Sequence, residues 1–119
     1  MSPTDIMERK VVTCFLQLDE EILILRRSRQ VGLYRGRWSG VSGYIETTPD
    51  DQARTEIEEE TGLSPEQVEL ITRGKPLLVP DEELGIRWVV HPYLFRIKDP
   101  GKIRIDTEHD QARWIRPIE

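Results

Sequence analysis

One stretch of this chain carries a full set of helix boundary signals, while the other apolar runs are short and mostly rich in β-branched residues. Thr48 is a good N-cap, Pro49 suits the first helical position, and Asp50 and Asp51 complement the positive end of the helix dipole. Gly62 suits the left-handed residue that stops a helix. Together they predict a helix over Pro49–Thr61, with Thr48 and Asp51 forming an approximate capping box. Before it, residues 11–18 (VVTCFLQL) and 22–26 (ILILR) read as a β-hairpin turning at Asp19-Glu20-Glu21. Residues 28–37 read as a loop and 38–46 as a glycine-spaced extended piece. Short strands are expected at 68–72 and 77–79, and Ile86–Ile97 (IRWVVHPYLFRI) reads as a central strand with Pro92 marking a bulge or an edge. Asp99-Pro100-Gly101 is a turn, 103–105 a short strand and 112–115 the last strand. The pattern is α+β. Arg116-Pro117-Ile118-Glu119 looks ready to start another helix, so a C-terminal helix is expected to be missing from this chain.

The length of 119 residues suits a single domain, 1–119, able to bury roughly two-thirds of its extended surface. Charged residues make up 33% against 37% hydrophobic, which raises the question of disorder. Three Trp, the dense apolar runs and the well-placed turn residues argue instead for a folded domain with a charged surface. The formal charge is −5 and there is no Lys/Arg block, so sequence-independent binding to a nucleic-acid backbone is not expected. No apolar stretch approaches the ~18 residues of a membrane span. MSPTDIMERK lacks the basic-then-apolar order of a secretory signal. Cys14 is the only cysteine, which excludes an internal disulfide and any multi-cysteine metal site, and it is expected to be buried and inert. The chain reads as soluble and cytoplasmic.

The acidic end of the helix carries the chemistry. At about 100° per residue, Glu56, Glu59 and Glu60 share one face while Glu58 points nearly the opposite way. Like charges three and four apart repel by a few tenths of a kcal/mol each, and the negative dipole end costs about 0.3–1 kcal/mol per anion. Helix stability alone would favour Lys or Arg here. A divalent cation, Mg2+ or Mn2+, supplies the missing counter-charge, since both take clustered carboxylate oxygens and share their shell with phosphates. The alternative is a solvated acidic face.

Gly43-Tyr44-Ile45-Glu46 followed by Glu56-Ile57-Glu58-Glu59-Glu60-Thr61-Gly62-Leu63 resembles the Nudix hydrolase family, whose signature is G-x5-E-x7-R-E-U-x-E-E-x-G-U with U a bulky aliphatic. Similar segments cover most of the chain: the hairpin ending Leu25-Arg26-Arg27, Trp38 before the glycines, Ile86–Ile97, and Glu108-His109 ahead of Trp114-Ile115-Arg116-Pro117. The resemblance implies a Nudix fold, a mixed β-sheet flanked by helices in an α/β/α sandwich. It implies hydrolysis of a nucleoside diphosphate linked to another group, by water attack on phosphorus with Mg2+ or Mn2+. Glu56, Glu59 and Glu60 would then be the catalytic, metal-binding carboxylates, with the backbone of Ser42 or Gly43 as a further ligand. A nucleotide-type small molecule is the implied partner.

Between Gly43 and Glu56 the chain is two residues shorter than the signature. With the gap after Glu46, the signature's first glutamate becomes Thr47 and its arginine Thr55. Both members of the pair that braces loop to helix are replaced together, which removes an ion pair without stranding either charge. A different brace is expected, through the Thr hydroxyls or Arg54. The competing class is a catalytically silent Nudix-like domain that binds a nucleotide or a protein.

Further candidates stand beside plainer readings. Glu108 is either an additional acid or base in a late loop or an ordinary acidic turn. His109 either binds substrate or braces that loop, and His91 reads as a core or edge histidine. Five arginines within twelve residues (Arg26, Arg27, Arg29, Arg35, Arg37) offer a pyrophosphate clamp, with Arg27 and Arg37 the chosen pair. Trp38, Trp88 and Tyr93 are candidates for base stacking or for core packing. Glu46 is a candidate carboxylate near the metals. A sheet face left open by a missing final helix would make a homodimer a natural arrangement.

Overall fold

The computed structural model describes residues 7–28 and 36–117. The expected hairpin is β1 (Met7–Leu18) paired antiparallel with β2 (Glu21–Arg27), Leu16 opposite Leu23. Asp19 makes the turn in the left-handed region (φ 55°), which a short polar side chain tolerates better than most. The glycine-spaced piece splits into β3 (Trp38–Ser39) and β4 (Val41–Tyr44). Helix α1 spans Pro49–Thr61 as expected. Thr48 Oγ1 accepts from Asp51 N at 3.2 Å, and Gly62 (φ 79°) donates its N–H to Glu58 O at 2.9 Å. A 3-10 turn, Pro65–Gln67, leads to β5 (Val68–Arg73), β6 (Leu77–Asp81), β7 (Ile86–Ile97) and β8 (His109–Ile115).

Among the described residues these strands form one mixed sheet in the order β3-β2-β1-β7-β5, with β4 also pairing β1, β6 pairing β7 and β8 pairing β2. The central pair, β1 and β7, is parallel, and the other pairs are antiparallel. Alternation then sorts the side chains. Val12, Cys14 and Leu16 of β1, with Tyr93 and Phe95 of β7, join Ala53 and Ile57 of α1 in the buried core. Each fully buried aliphatic side chain there contributes about 1.5–3 kcal/mol. Val11 of β1 and Trp88 and Val90 of β7 fall on the face turned away from α1.

Two expectations need adjusting, while the break expected at Pro92 is found. Residues 103–105 form no strand: Arg104 N donates to Thr61 O at 2.8 Å, capping the helix end, while Ile103 and Ile105 pack against the core. Pro92 lies where the outer neighbour of β7 changes from β6 to β5, and Gly74 N donates to Pro92 O at 2.9 Å. The flanking helices of the sandwich reduce to α1 among the described residues, and the expected start of a further helix at 116–119 lies partly beyond them.

Candidate active site

Helix α1 packs on β4 and β1. Burying Ala53 and Ile57 in the core turns Glu56 and Glu60, one turn apart, toward the sheet. Glu60 is 1% exposed, Glu56 is half-buried, and Glu58 and Glu59 are exposed. Opposite them, Gly43 on β4 comes so close that a Cβ there would fall inside the Glu56 carboxyl group. Any larger residue there would displace the Glu56 carboxyl.

Among the described residues neither carboxyl oxygen of Glu60 makes a hydrogen bond of good geometry. The polar groups around it are the Glu56 carboxyl, the Ser42 backbone and His109, whose Nε2 lies 3.4 Å from Glu60 Oε1. The other ring nitrogen of His109 is 2.7 Å from Asp106 Oδ1. Burial, and then the adjoining Glu56 carboxyl, push Glu60 far above the usual carboxylate range, with Asp106 adding to the effect. Burial also raises Glu56, and the charges of Glu59 and Glu108 push the same way. Beneath the pair the Cys14 thiol, buried as expected, is pushed up to about 12 by burial and then by Glu60 and Glu56.

The structure therefore brings Glu56 and Glu60 together and leaves Glu59 at the rim, near enough to be felt. Among the described residues no three His, Cys, Asp or Glu side chains converge as a ready-made metal-binding group. A divalent cation still fits the donors present. Two adjacent carboxyls repel each other, one is shut away from water without a well-formed hydrogen bond among the described residues, and hard oxygen ligands are what Mg2+ and Mn2+ prefer.

Beside this acidic cluster, on the sheet face turned from α1, lies a cleft of about 850 Å3. Val11 and Val90 floor it. Tyr44 and Trp88, ring centroids 6.1 Å apart, form one side, with Val79, Pro80 and Asp81 alongside. Trp38, Arg27 and Arg37 line it too, and Ser42, Gly43, Glu108 and His109 join it to the carboxyls. Arg27 and Arg37 are held side by side, since Arg27 N donates to Arg37 O at 2.9 Å. The late loop is fastened by Ser28, whose N–H donates to Glu108 O at 2.8 Å and whose hydroxyl donates to Thr107 O at 3.2 Å.

Other candidates fall elsewhere. Arg26 makes a bidentate pair with Asp110 (2.7 and 3.0 Å). Arg29 and Arg35 lie outside the described residues. Tyr93 is no stacking platform: it is buried, and its hydroxyl donates to Asp50 Oδ1 at 2.6 Å. His91 is half-buried on the same face as Tyr93. Trp38 carries the Arg113 guanidinium 4.8 Å from its ring centroid. Glu46 is exposed and is not among the residues lining the cleft.

The brace between loop and helix also differs from expectation. Thr47 and Thr55 are exposed, and Arg54 lies against the Phe95 ring at 5.6 Å. Gln52, which sequence reasoning passed over, accepts from Glu46 N and donates to Glu56 Oε1, both at 3.1 Å. Its position four residues before Glu56 was the one available signal. Tyr44 and Asp106 were missed as well.

A model of the NUDIX domain matches residues 7–119. The chain belongs to the Nudix family, a family of pyrophosphohydrolases. Similar solved structures agree in fold. An Ap4A hydrolase from C. elegans, solved as a binary complex, aligns with a TM-score of 0.73 at 18% identity, covering 93% of this chain and 80% of that one. A MutT Nudix hydrolase from Burkholderia pseudomallei gives 0.72 at 23%, over 92% and 84%. The bifunctional NMN adenylyltransferase/ADP ribose pyrophosphatase of Francisella tularensis, in complex with AMP and a Mn ion, gives 0.77 at 21%, over 97% of this chain and 35% of that one. No curated protein sequence matches the chain. Among the described residues no helix is long and apolar enough to cross a membrane.

Proposed function

We propose that this chain, as one domain over 1–119 acting in the cytoplasm, hydrolyses the pyrophosphate bond of a nucleoside diphosphate linked to another group. Water attacks phosphorus, with Mg2+ or Mn2+ held by Glu56, Glu59 and Glu60 and by the backbone carbonyl of Ser42 or Gly43. The observation that carries this reading is Glu60: a carboxyl buried to 1% exposure, without a well-formed hydrogen bond among the described residues, set against a second carboxyl beside an open cleft. The Ap4A and ADP-ribose named for two of the similar structures are substrates of the proposed class.

Bound at these carboxylates, a divalent ion offsets phosphate charge and lowers the pKa of water. The chain's own residues do the rest. Arg27 and Arg37, which line the cleft, bind the diphosphate oxygens, since guanidinium groups suit bidentate contacts. Trp88 and Tyr44 offer apolar ring surface for the base or the linked group, and Trp38 offers an edge. Glu108, on the cleft wall and close enough to raise Glu56, accepts the proton of the attacking water. Reaction of this kind relies on positioning and charge neutralisation, so no nucleophilic side chain is needed.

The test is phosphate or nucleotide release from a nucleotide panel with Mg2+ or Mn2+, comparing wild type with Glu59→Gln and Glu60→Gln. Turnover by wild type and its loss, by about a hundredfold or more, in both variants is expected. Undiminished turnover in both removes the carboxylate assignment. Tight nucleotide binding without turnover of any substrate would mark a silent binding domain.

A further inference from the structure

Gln52 lies one turn before Glu56, is 7% exposed, and has both ends of its amide engaged. Nε2 donates to Glu56 Oε1 and Oε1 accepts from the Glu46 backbone N–H. The two contacts fix the orientation of the amide, because only its amino end can serve a carboxylate and only its carbonyl end an N–H. Its own backbone N–H donates to Thr48 O at 2.9 Å, which seats the residue in the first turn of α1. One side chain thus clamps the segment following β4 to the helix that carries the carboxylates, across the place where Gly43 meets Glu56.

We propose that Gln52 is a positioning residue for the cation site, holding the Glu56 carboxylate opposite Gly43 and setting the spacing of β4 and α1 without adding charge. The proposal rests on the reading that Glu56 holds a divalent cation. A cationic side chain here would compete with that ion for Glu56, and an acidic one would add to the repulsion already present. An amide does neither. It fixes one carboxylate oxygen and leaves the other for the ion, and it gives the shortened loop an anchor where Thr47 and Thr55 point to solvent. Groups that orient a ligating side chain in this way are generally worth 10–100-fold in metal affinity.

The experiment uses the whole chain and Mn2+ alone, with free Mn2+ followed by electron paramagnetic resonance. Gln52→Met keeps the side-chain volume and removes both hydrogen bonds. It is expected to weaken Mn2+ binding about tenfold, and to have no further effect when added to Glu56→Gln. In parallel, the Gln52 side-chain amide resonances of the cation-free protein are expected to move toward those of a free amide in Glu56→Ala. Mn2+ bound as tightly by a lower-melting Gln52→Met as by wild type would overturn the proposal, leaving Gln52 a loop fastener. If wild type takes up no Mn2+, it is the cation reading that fails. The amide resonances then decide the hold on Glu56 by themselves, as they do if Gln52→Met does not fold. Resonances unmoved by Glu56→Ala would overturn it.

Discussion

Glu60 is a carboxyl shut away from water with, among the described residues, no well-formed hydrogen bond to either oxygen, so the cation-free fold tolerates it at a cost. Replacing it with a similar-sized apolar residue should therefore help the fold and harm the chemistry. Glu60→Met is expected to raise the cation-free Tm by several degrees, about 1–2 kcal/mol, while abolishing turnover; a lower Tm would contradict this account of the site. The folded chain holds the Glu60 proton more tightly than the unfolded chain, whose carboxyl titrates near 4.5. That contribution to stability is complete below pH 4.5 and declines as pH rises toward the raised folded value. Melting of cation-free wild type should accordingly show a loss above pH 4.5 that Glu60→Met lacks and that added Mg2+ or Mn2+ reverses. The glutamates were legible from sequence because their spacing on a helix and their unfavourable placement are local properties. Gln52 was not, since its meaning depends on a backbone amide beyond the helix and on the absence of an ion pair.

At the level of elements, α1 was the most legible feature, because Thr48, Pro49 and Gly62 act within a residue or two of where they stand. The 103–105 segment misled because two isoleucines facing a core look the same in coil as in a strand, and its amide satisfies a helix carbonyl instead of a ladder. What fastens the front of α1 to the sheet was invisible in sequence. Asp50 accepts two hydrogen bonds from Arg73 of β5 (2.8 and 2.6 Å) and one from Tyr93 of β7. Arg73, and then Tyr93, hold the Asp50 carboxyl well below its ordinary 3.8. Stability from this group is present above pH 3.8 and lost as pH falls toward the depressed folded value. Arg73 and Asp50 are about half exposed, so solvent screening keeps the effect small. Asp50→Asn is expected to lower Tm by a few degrees at pH 7 and by much less near pH 2, as read by thermal melts across that range. A deficit of equal size at both ends would assign the loss to packing rather than charge.

Across the whole molecule, the sheet face turned from α1 is open enough to hold the cleft, and β6 shows Leu77, Leu78 and Val79 to solvent at 55, 64 and 45% exposure. Contiguous apolar side chains on an outer strand are where a second copy would add. A homodimer formed through β6 is expected by light scattering after size exclusion, and Leu78→Lys is expected to return it to monomer. A wild type that stays monomeric at high concentration would exclude the arrangement. The middle of the sheet has a different consequence, one of timing. Its parallel ladder joins Met7–Gln17 to Ile86–Arg96, so the opening strand waits for a partner made roughly eighty residues later. During synthesis the hairpin, β4 and α1 emerge and can pack on one another, but the middle of the sheet stays incomplete until Ile86–Arg96 has been made. Long-range pairing of this kind makes for slow collapse into the native state, and a nascent chain stalled short of Ile97 should be prey for proteases and chaperones.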